Sequence, residues 1–368
     1  MDLGRRREKP SVFLCEAHLA SGLEAIATQE LNRRFRKSIR LQPLPRIEQK
    51  SSAIRFPYAT IRFLYTGDLR ALLQLRTVLA VYLVHHFPVP RPRALLGDEH
   101  FRAVLAQITT VRELLPSSAY KNFYLSAAGS DSPIMRRLSE QIAHQTGLKE
   151  ASHEGDLQIS LRRPSDGGEG WEIFVRLSPR PLTARAWRTC NFHGALNAAV
   201  AQAMVWLTQP KPRDVFLNVA CGSGTLLIER LDVGAVQRII GCDIDAKVLE
   251  CARANAAAGG YSSNIELYPW DARVLPLPDQ SVNAICADLP FGHLIGSHRE
   301  NASLYPLILE ETARVAKSAS VFVLITHEVH LMEELLTQSK DWSAEQTIQV
   351  TLGGLHPRVF VLRRRTPD

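Results

Sequence analysis

No run in this sequence approaches eighteen apolar residues, and the basic stretch Arg5-Arg6-Arg7 is not followed by a long hydrophobic segment. A helix needs about twenty such residues to cross a bilayer, so neither membrane insertion nor secretion is expected. The six cysteines (15, 190, 221, 242, 251 and 286) include no C-x-x-C pair. Without disulfide-like density, a reducing compartment such as the cytoplasm is expected, with most thiols acting as small buried apolar groups. His327-Glu328-Val329-His330 is one residue short of the H-E-x-x-H zinc helix, so no metal is expected. A repeat of solenoid period is also missing.

What is present describes a globular protein. The chain has 368 residues, 45% of them hydrophobic, enough for two or three cored domains. Lys plus Arg number 44 against 37 Asp plus Glu, a net charge of +7 that favours an anionic partner. Part of that charge is clustered, at Arg33-Arg34, Arg36-Lys37 and Arg363-Arg364-Arg365, and such runs are usually solvated faces.

Strands and helices interleave in short units through the first half. Strands are predicted at 12–14, 54–56, 61–64 and 81–84, with helices at 22–31 and from a cap at Asp68 through 79. A second cycle follows, with helices at 99–108 and 132–145 and strands at 122–126, 157–161 and 171–177. Two α+β domains, 1–95 and 96–180, are therefore expected, then a linker at 181–195. From 196 the texture changes. After a helix at 196–207, strands at 215–220, 238–242, 264–268, 281–287 and 321–326 alternate with helices at 225–231, 246–257, 304–317 and 328–337. Parallel strands with helical crossovers make a doubly wound α/β sheet over 196–368. A hairpin at 347–352 and 359–362 closes it, which is unusual in nicotinamide-binding folds and habitual in methyltransferase sheets.

Two places in that sheet carry chemistry. Asn218-Val219-Ala220-Cys221-Gly222-Ser223-Gly224-Thr225 lies where the first strand turns into the first helix, and Gly222 and Gly224 let the backbone approach a ligand. Asp243 ends the next strand, where a carboxylate can accept both hydroxyls of a ribose. A dinucleotide fingerprint would set a third glycine where Leu227 stands. S-adenosylmethionine, which carries no phosphate, does not need that close approach. Ile244 then suits the adenine plane, and Asp271 the adenine amino group. The second place is Asp288-Leu289-Pro290-Phe291-Gly292, which ends the strand at 281–287. Pro290 stops the ladder, so a carboxylate, a free carbonyl and a ring face the ligand crevice together. Two acceptors and a ring are what it takes to hold a flat base by an amino group.

Asn218 to Thr225, Gly241-Cys242-Asp243-Ile244-Asp245, Trp270-Asp271-Ala272 and Asp288 to Gly292 together resemble class I S-adenosylmethionine methyltransferases acting on amino groups. The run from Asp288 through Ser297-His298-Arg299 is similar to that of THUMP-containing tRNA guanine-N2 methyltransferases. Arg188 to Met204 resembles the segment before their catalytic domain. The resemblance implies a Rossmann-like catalytic sheet preceded by ferredoxin-like and THUMP domains, and a monomeric cytoplasmic enzyme needing neither metal nor membrane. It implies methyl transfer to N2 of a tRNA guanosine at position 6 of the acceptor stem. Asp288, Pro290 and Phe291 would be catalytic. Asn218, Ala220, Gly222, Gly224, Asp243, Ile244, Asp271 and Ala272 would hold the methyl donor. Lys121, Arg136, Arg137, Arg162, Arg185 and Arg188 would contact RNA phosphates. Asn218-Val219 replace the family's usual Asp-Pro, and Leu289 its usual first proline. Methylation of an rRNA guanine or adenine, a nicotinamide oxidoreductase and a catalytically silent RNA binder are the competing readings.

Overall fold

The computed structural model describes residues 11–42, 58–129, 131–191, 194–291, 297–351 and 353–366. The strand expected at 54–56 and Gly292 lie outside the described residues. Contacts divide the chain into a unit ending at Leu182 and a unit from Thr183 onward that also takes in Ala20–Ala27.

The N-terminal unit runs β1 (Phe13–Leu19), α1 (Glu24–Phe35), β2 (Ile39–Leu41), β3 (Ala59–Tyr65), α2 (Leu69–Leu72), β4 (Ala80–Phe87), α3 (Asp98–Arg112), β5 (Asn122–Ala127), α4 (Pro133–Thr146), β6 (Lys149–Glu150), β7 (Leu157–Arg162) and β8 (Trp171–Arg176). The described strands form one sheet in the order β2-β3-β1-β4-β8-β7-β5-β6. Alternation sets Cys15, Phe63, Leu83, Ile173 and Ile159 into the apolar core. Helix α3 packs on β4 and β8. The division expected at residue 95 falls inside this sheet, because β4 pairs with β8 from Tyr82↔Arg176 to Phe87↔Trp171. That pairing saturates two inner edges which separate domains would leave open. The helix expected from Asp68 to 79 stops at Leu72. The buried Glu30 carboxylate accepts the backbone N–H groups of Arg76 at 3.1 Å and Thr77 at 2.9 Å, which a continuing helix would have used.

The C-terminal unit runs α5 (Ala198–Leu207), β9 (Val215–Val219), α6 (Thr225–Val233), β10 (Arg238–Cys242), α7 (Ala246–Ala258), β11 (Glu266–Tyr268), β12 (Val282–Asp288), α8 (His298–Val315), β13 (Ala316–Thr326), α9 (Val329–Gln338), β14 (Trp342–Gln349) and β15 (Arg358–Arg364). Its sheet order is β11-β10-β9-β12-β13-β15-β14. The first five are parallel neighbours, and β15 is antiparallel to both β13 and β14. Phe216 to Val219 and Ala284 to Ala287 are buried throughout, as strands covered on both faces require. The closing hairpin has longer arms than expected. Its edge strand β14 is anchored by buried Trp342, but Glu345 and Gln346 are exposed, so the strand leaves little hydrophobic alternation to read. Helix α8 starts at His298 rather than 304, capped by Ser297, whose Oγ accepts from the Glu300 N–H at 3.3 Å.

Two expectations are corrected. Residues 183–191 are not a free linker: Trp187 is buried and Arg185 bonds Glu229 within this unit. Nor are all six cysteines independent thiols. Cys190 and Cys251 are joined by a disulfide with their Cα atoms 5.4 Å apart, while Cys15, Cys221, Cys242 and Cys286 are free and buried.

Candidate active site

Four parallel strands, β9, β10, β11 and β12, end around one cavity of about 420 Å³. Volumes of roughly 300–1,000 Å³ are usual for small-molecule sites. Between β9 and α6 the backbone turns tightly, with Ala220, Gly222 and Gly224 at φ of 49°, 53° and 78°. The left-handed geometry suits the glycines and strains Ala220. A side chain at Gly224 would also press Ala252 of α7 at 3.3 Å, so this glycine closes the loop against the next helix. Leu227 is fully buried, and its Cδ1 lies only 2.5 Å from where a Cβ on Gly241 would stand. The helix is therefore held off β10 by a leucine, where a dinucleotide site needs a glycine.

Asp243 follows β10. Its Oδ2 accepts the Gly222 N–H at 3.0 Å and its Oδ1 the Asp245 N–H at 3.1 Å, leaving lone pairs on both oxygens. Ile244 is 71% exposed on the rim. After β11, Trp270 lines the cavity and stacks on Tyr268, with ring centroids 4.1 Å apart and planes 2° apart. Asp271 and Ala272 line it too. Asp271 is held below the usual carboxylate range by its hydrogen bonds to the Arg273 guanidinium, at 3.0 and 2.6 Å.

Asp288 is the last residue of β12 and faces this same cavity, with Leu289, Pro290 and Phe291. Its Oδ1 is buried with no hydrogen-bond partner, and burial pushes its pKa up to about 7. The Pro290 carbonyl, by contrast, is already occupied. It accepts from the Tyr305 hydroxyl at 2.6 Å and from Asn301 Nδ2 at 3.0 Å. A carbonyl has two lone pairs, so Pro290 does not supply the free acceptor expected of it. The clamp continues outward: Tyr305 meets Thr326 Oγ1 at 2.7 Å, and Glu328 bonds both Asn301 and the His298 ring. Phe291 packs edge-on to His327, with centroids 4.4 Å apart.

Other expected site residues fall elsewhere. Asn218 is fully buried within β9, and its Nδ2 donates to the Cys286 carbonyl of β12 at 3.1 Å. It stitches two strands and does not line the cavity. Gly224 shapes the loop without lining it. Arg185 is 8% exposed and bound to Glu229 at 2.8 Å, and Arg162 is tied to Glu16 and lies 3.6 Å over the Phe174 ring. Both guanidiniums are engaged by buried glutamates within the fold. Arg188 lies beside the cavity, where its Nη2 donates to the Leu196 carbonyl and to Thr225 Oγ1, each at 2.9 Å. Lys121, Arg136 and Arg137 are exposed. Trp270, Asn301, Tyr305 and Glu328 were missed by sequence reasoning. Only Trp270 carried a local signal, sitting directly before Asp271.

A doubly wound sheet with a glycine turn after β9, acidic side chains after β10 and at the end of β12, and an antiparallel closing hairpin defines a class I methyltransferase fold. Residues 185–358 match the model of the family described as UPF0020, RMKL-like methyltransferase domain. The C-terminal unit is similar to that family, in line with the resemblance read from the motifs. The chain is 30% identical over 182 residues to tRNA (guanine(6)-N(2))-methyltransferase THUMP3 of Mus musculus, a match covering 46% of this chain and 36% of that protein. It thus spans little more than a third of that relative's length. A tRNA (guanine(6)-N2)-methyltransferase of Thermus thermophilus is 29% identical over 300 residues, 78% of this chain and 85% of that one. The crystal structure of TrmN from Thermus thermophilus matches the fold with a TM-score of 0.72 at 23% identity, covering 96% of this chain and 100% of the other. No helix among the described residues is long and apolar enough to cross a membrane.

Proposed function

We propose that this protein transfers a methyl group from S-adenosylmethionine to the exocyclic N2 amine of a guanosine in tRNA, at the position 6 for which its relatives are named. The observation that carries the reading is Asp288, which lines the same cavity as the Gly222 turn and whose buried Oδ1 has no hydrogen-bond partner among the described residues. An orphaned carboxylate oxygen costs free energy unless a donor arrives, and an amine is such a donor.

The residues present fit the methyl donor. The Ala220–Gly224 turn brings bare backbone to the cavity, Asp243 keeps acceptor capacity for ribose hydroxyls, and Ile244 and Trp270 offer apolar surface to an adenine. When bound, S-adenosylmethionine supplies a methyl group made electrophilic by its sulfonium. Asp288 Oδ1 accepts one N–H of the target amine. The Leu289 carbonyl, to which no described group donates, replaces Pro290 as the second acceptor. The two orient the nitrogen lone pair toward the methyl group, so most acceleration comes from positioning. Phe291, braced by His327, takes the base. Flipping a base out costs a few kcal/mol and stacking returns about 1–3, so the hydrogen bonds supply the rest. The amine loses one proton on methylation, and a carboxylate with a pKa of about 7 can receive it at Oδ1.

Substrate capture falls to the N-terminal unit. Arg136 lines a second cavity of about 400 Å³ with Tyr124 and Ser139, whose hydroxyl is buried without a partner. With Lys121 and Arg137 it is the candidate contact for RNA phosphates. A tritiated-methyl assay on separate tRNA and rRNA pools, followed by mass-spectrometric mapping, tests the function. Label in N2-methylguanosine of tRNA is expected. Label in N6-methyladenosine, label confined to rRNA, or no label rejects it.

A further inference from the structure

Arg188 is a half-buried cation that lacks an anion. Of its five N–H donors, those on Nη2 bond the Leu196 carbonyl and Thr225 Oγ1, while Nε is buried with no partner. No described Asp or Glu forms an ion pair with it. Glu229, the acidic group that raises its pKa, is bound at 2.8 and 3.2 Å by Arg185. Burial pulls the Arg188 guanidinium below its usual range, and the charge of Arg185 adds to that effect. Leaving a guanidinium so placed is costly unless an anion arrives.

The site of the missing anion follows from the two Nη2 contacts. Leu196 and Thr225 both line the methyl-donor cavity, and Thr225 is the first residue of α6, whose N-terminal N–H groups also favour negative charge. The rest of the lining has the opposite sign: Asp243, Asp245, Asp271 and Asp288 against Arg273, which is itself bound to Asp271. Arg188 does not itself line the cavity, but it is the cation bonded to two residues that do, with no described carboxylate paired to it. We propose that Arg188, with the Thr225 hydroxyl, forms the anion subsite of this cavity and receives the carboxylate of the methionine moiety of S-adenosylmethionine. The inference rests on the methyl-donor reading given above. It assigns Arg188 to the cofactor and away from RNA.

Titration calorimetry on the full chain with S-adenosylmethionine and with decarboxylated S-adenosylmethionine, which keeps the ammonium, isolates the contact. The wild type is expected to prefer the carboxylated ligand by roughly tenfold to a hundredfold, the usual worth of a hydrogen bond to a charged group. Arg188→Ala should erase that preference by weakening the carboxylated ligand alone. Equal wild-type affinities, or a loss that is the same for both ligands in Arg188→Ala, overturn the proposal. If Arg188→Ala fails to fold, Arg188→Gln and the wild-type ratio decide, the second needing no substitution. A wild type that binds neither ligand rejects the methyl-donor reading itself, whereas one that binds both equally rejects only the role of Arg188.

Discussion

The sheet of each unit carries a carboxylate on a central strand, and these two, Glu16 and Asp288, are opposites. Glu16 of β1 is 1% exposed and saturated: His18 bonds it at 3.0 Å, Arg62 at 3.1 and 2.7 Å, and Arg162 caps the same oxygen as His18. Burial alone would raise its pKa, but the His18 hydrogen bond and the charges of Arg162 and Arg62 hold it at about 2. Asp288 of β12 has an oxygen with no partner, and burial pushes it up to about 7. A buried acid with every lone pair used is architecture. One left open at a strand end has capacity kept for something that is not part of the chain.

That contrast is open to attack in order of effect. Asp288→Asn removes an acceptor charge made for the reaction, so turnover should fall roughly a thousandfold while S-adenosylmethionine affinity stays within about twofold. Single-turnover methyl transfer and calorimetry measure the two, and a substantial residual rate would make Asp288 as structural as Glu16. Glu16→Ala removes the buried carboxylate that His18, Arg62 and Arg162 share in the N-terminal unit, while Arg62 keeps its bonds to Glu172. It should cost about 3 kcal/mol or more in denaturant unfolding and leave methyl-donor affinity unchanged. A smaller effect, within about 1 kcal/mol, would mean the network contributes little.

Titration separates the pair further, because the two shifts have opposite signs. Asp288 must be ionised to accept the amine, so turnover should rise roughly tenfold per unit as pH approaches about 7 and level off above it. Its folded pKa lies above the unfolded value. Ionising it therefore subtracts stability as pH rises from about 4 to about 7, and Asp288→Asn should be the more stable protein above that window. The folded pKa of Glu16 lies below its unfolded value. Its contribution is complete above about 4.5 and should be lost as pH falls toward about 2, as acid unfolding of wild type against Glu16→Ala would report.

Much of this molecule was legible from local pattern. The strands that became β9, β10 and β12 each contain a run of four buried, mostly apolar residues, which is the pattern of a strand covered on both faces. The turn after β9 and the stop at Pro290 follow from backbone chemistry that glycine and proline carry with them. Edge strands and helix starts were harder, since β14 and the first turn of α8 expose polar residues that carry no period. The disulfide between Cys190 and Cys251 joins residues 61 positions apart and has no local signature.

Side-chain roles divide along the same line. Sequence alone determined which strand ends face the crevice and that a carboxylate stands at one of them, because chain direction and the sheet's crossover rule decide both. It could not assign the arginines, whose charge reads the same in any setting. Only folding decided that Arg162 and Arg185 answer buried glutamates, that Arg188 waits beside the cavity, and that Tyr305 and Asn301 occupy the Pro290 carbonyl. Those outcomes depend on which groups meet across tens to more than a hundred residues of chain, and hydrogen-bond capacity is used up by neighbours in space.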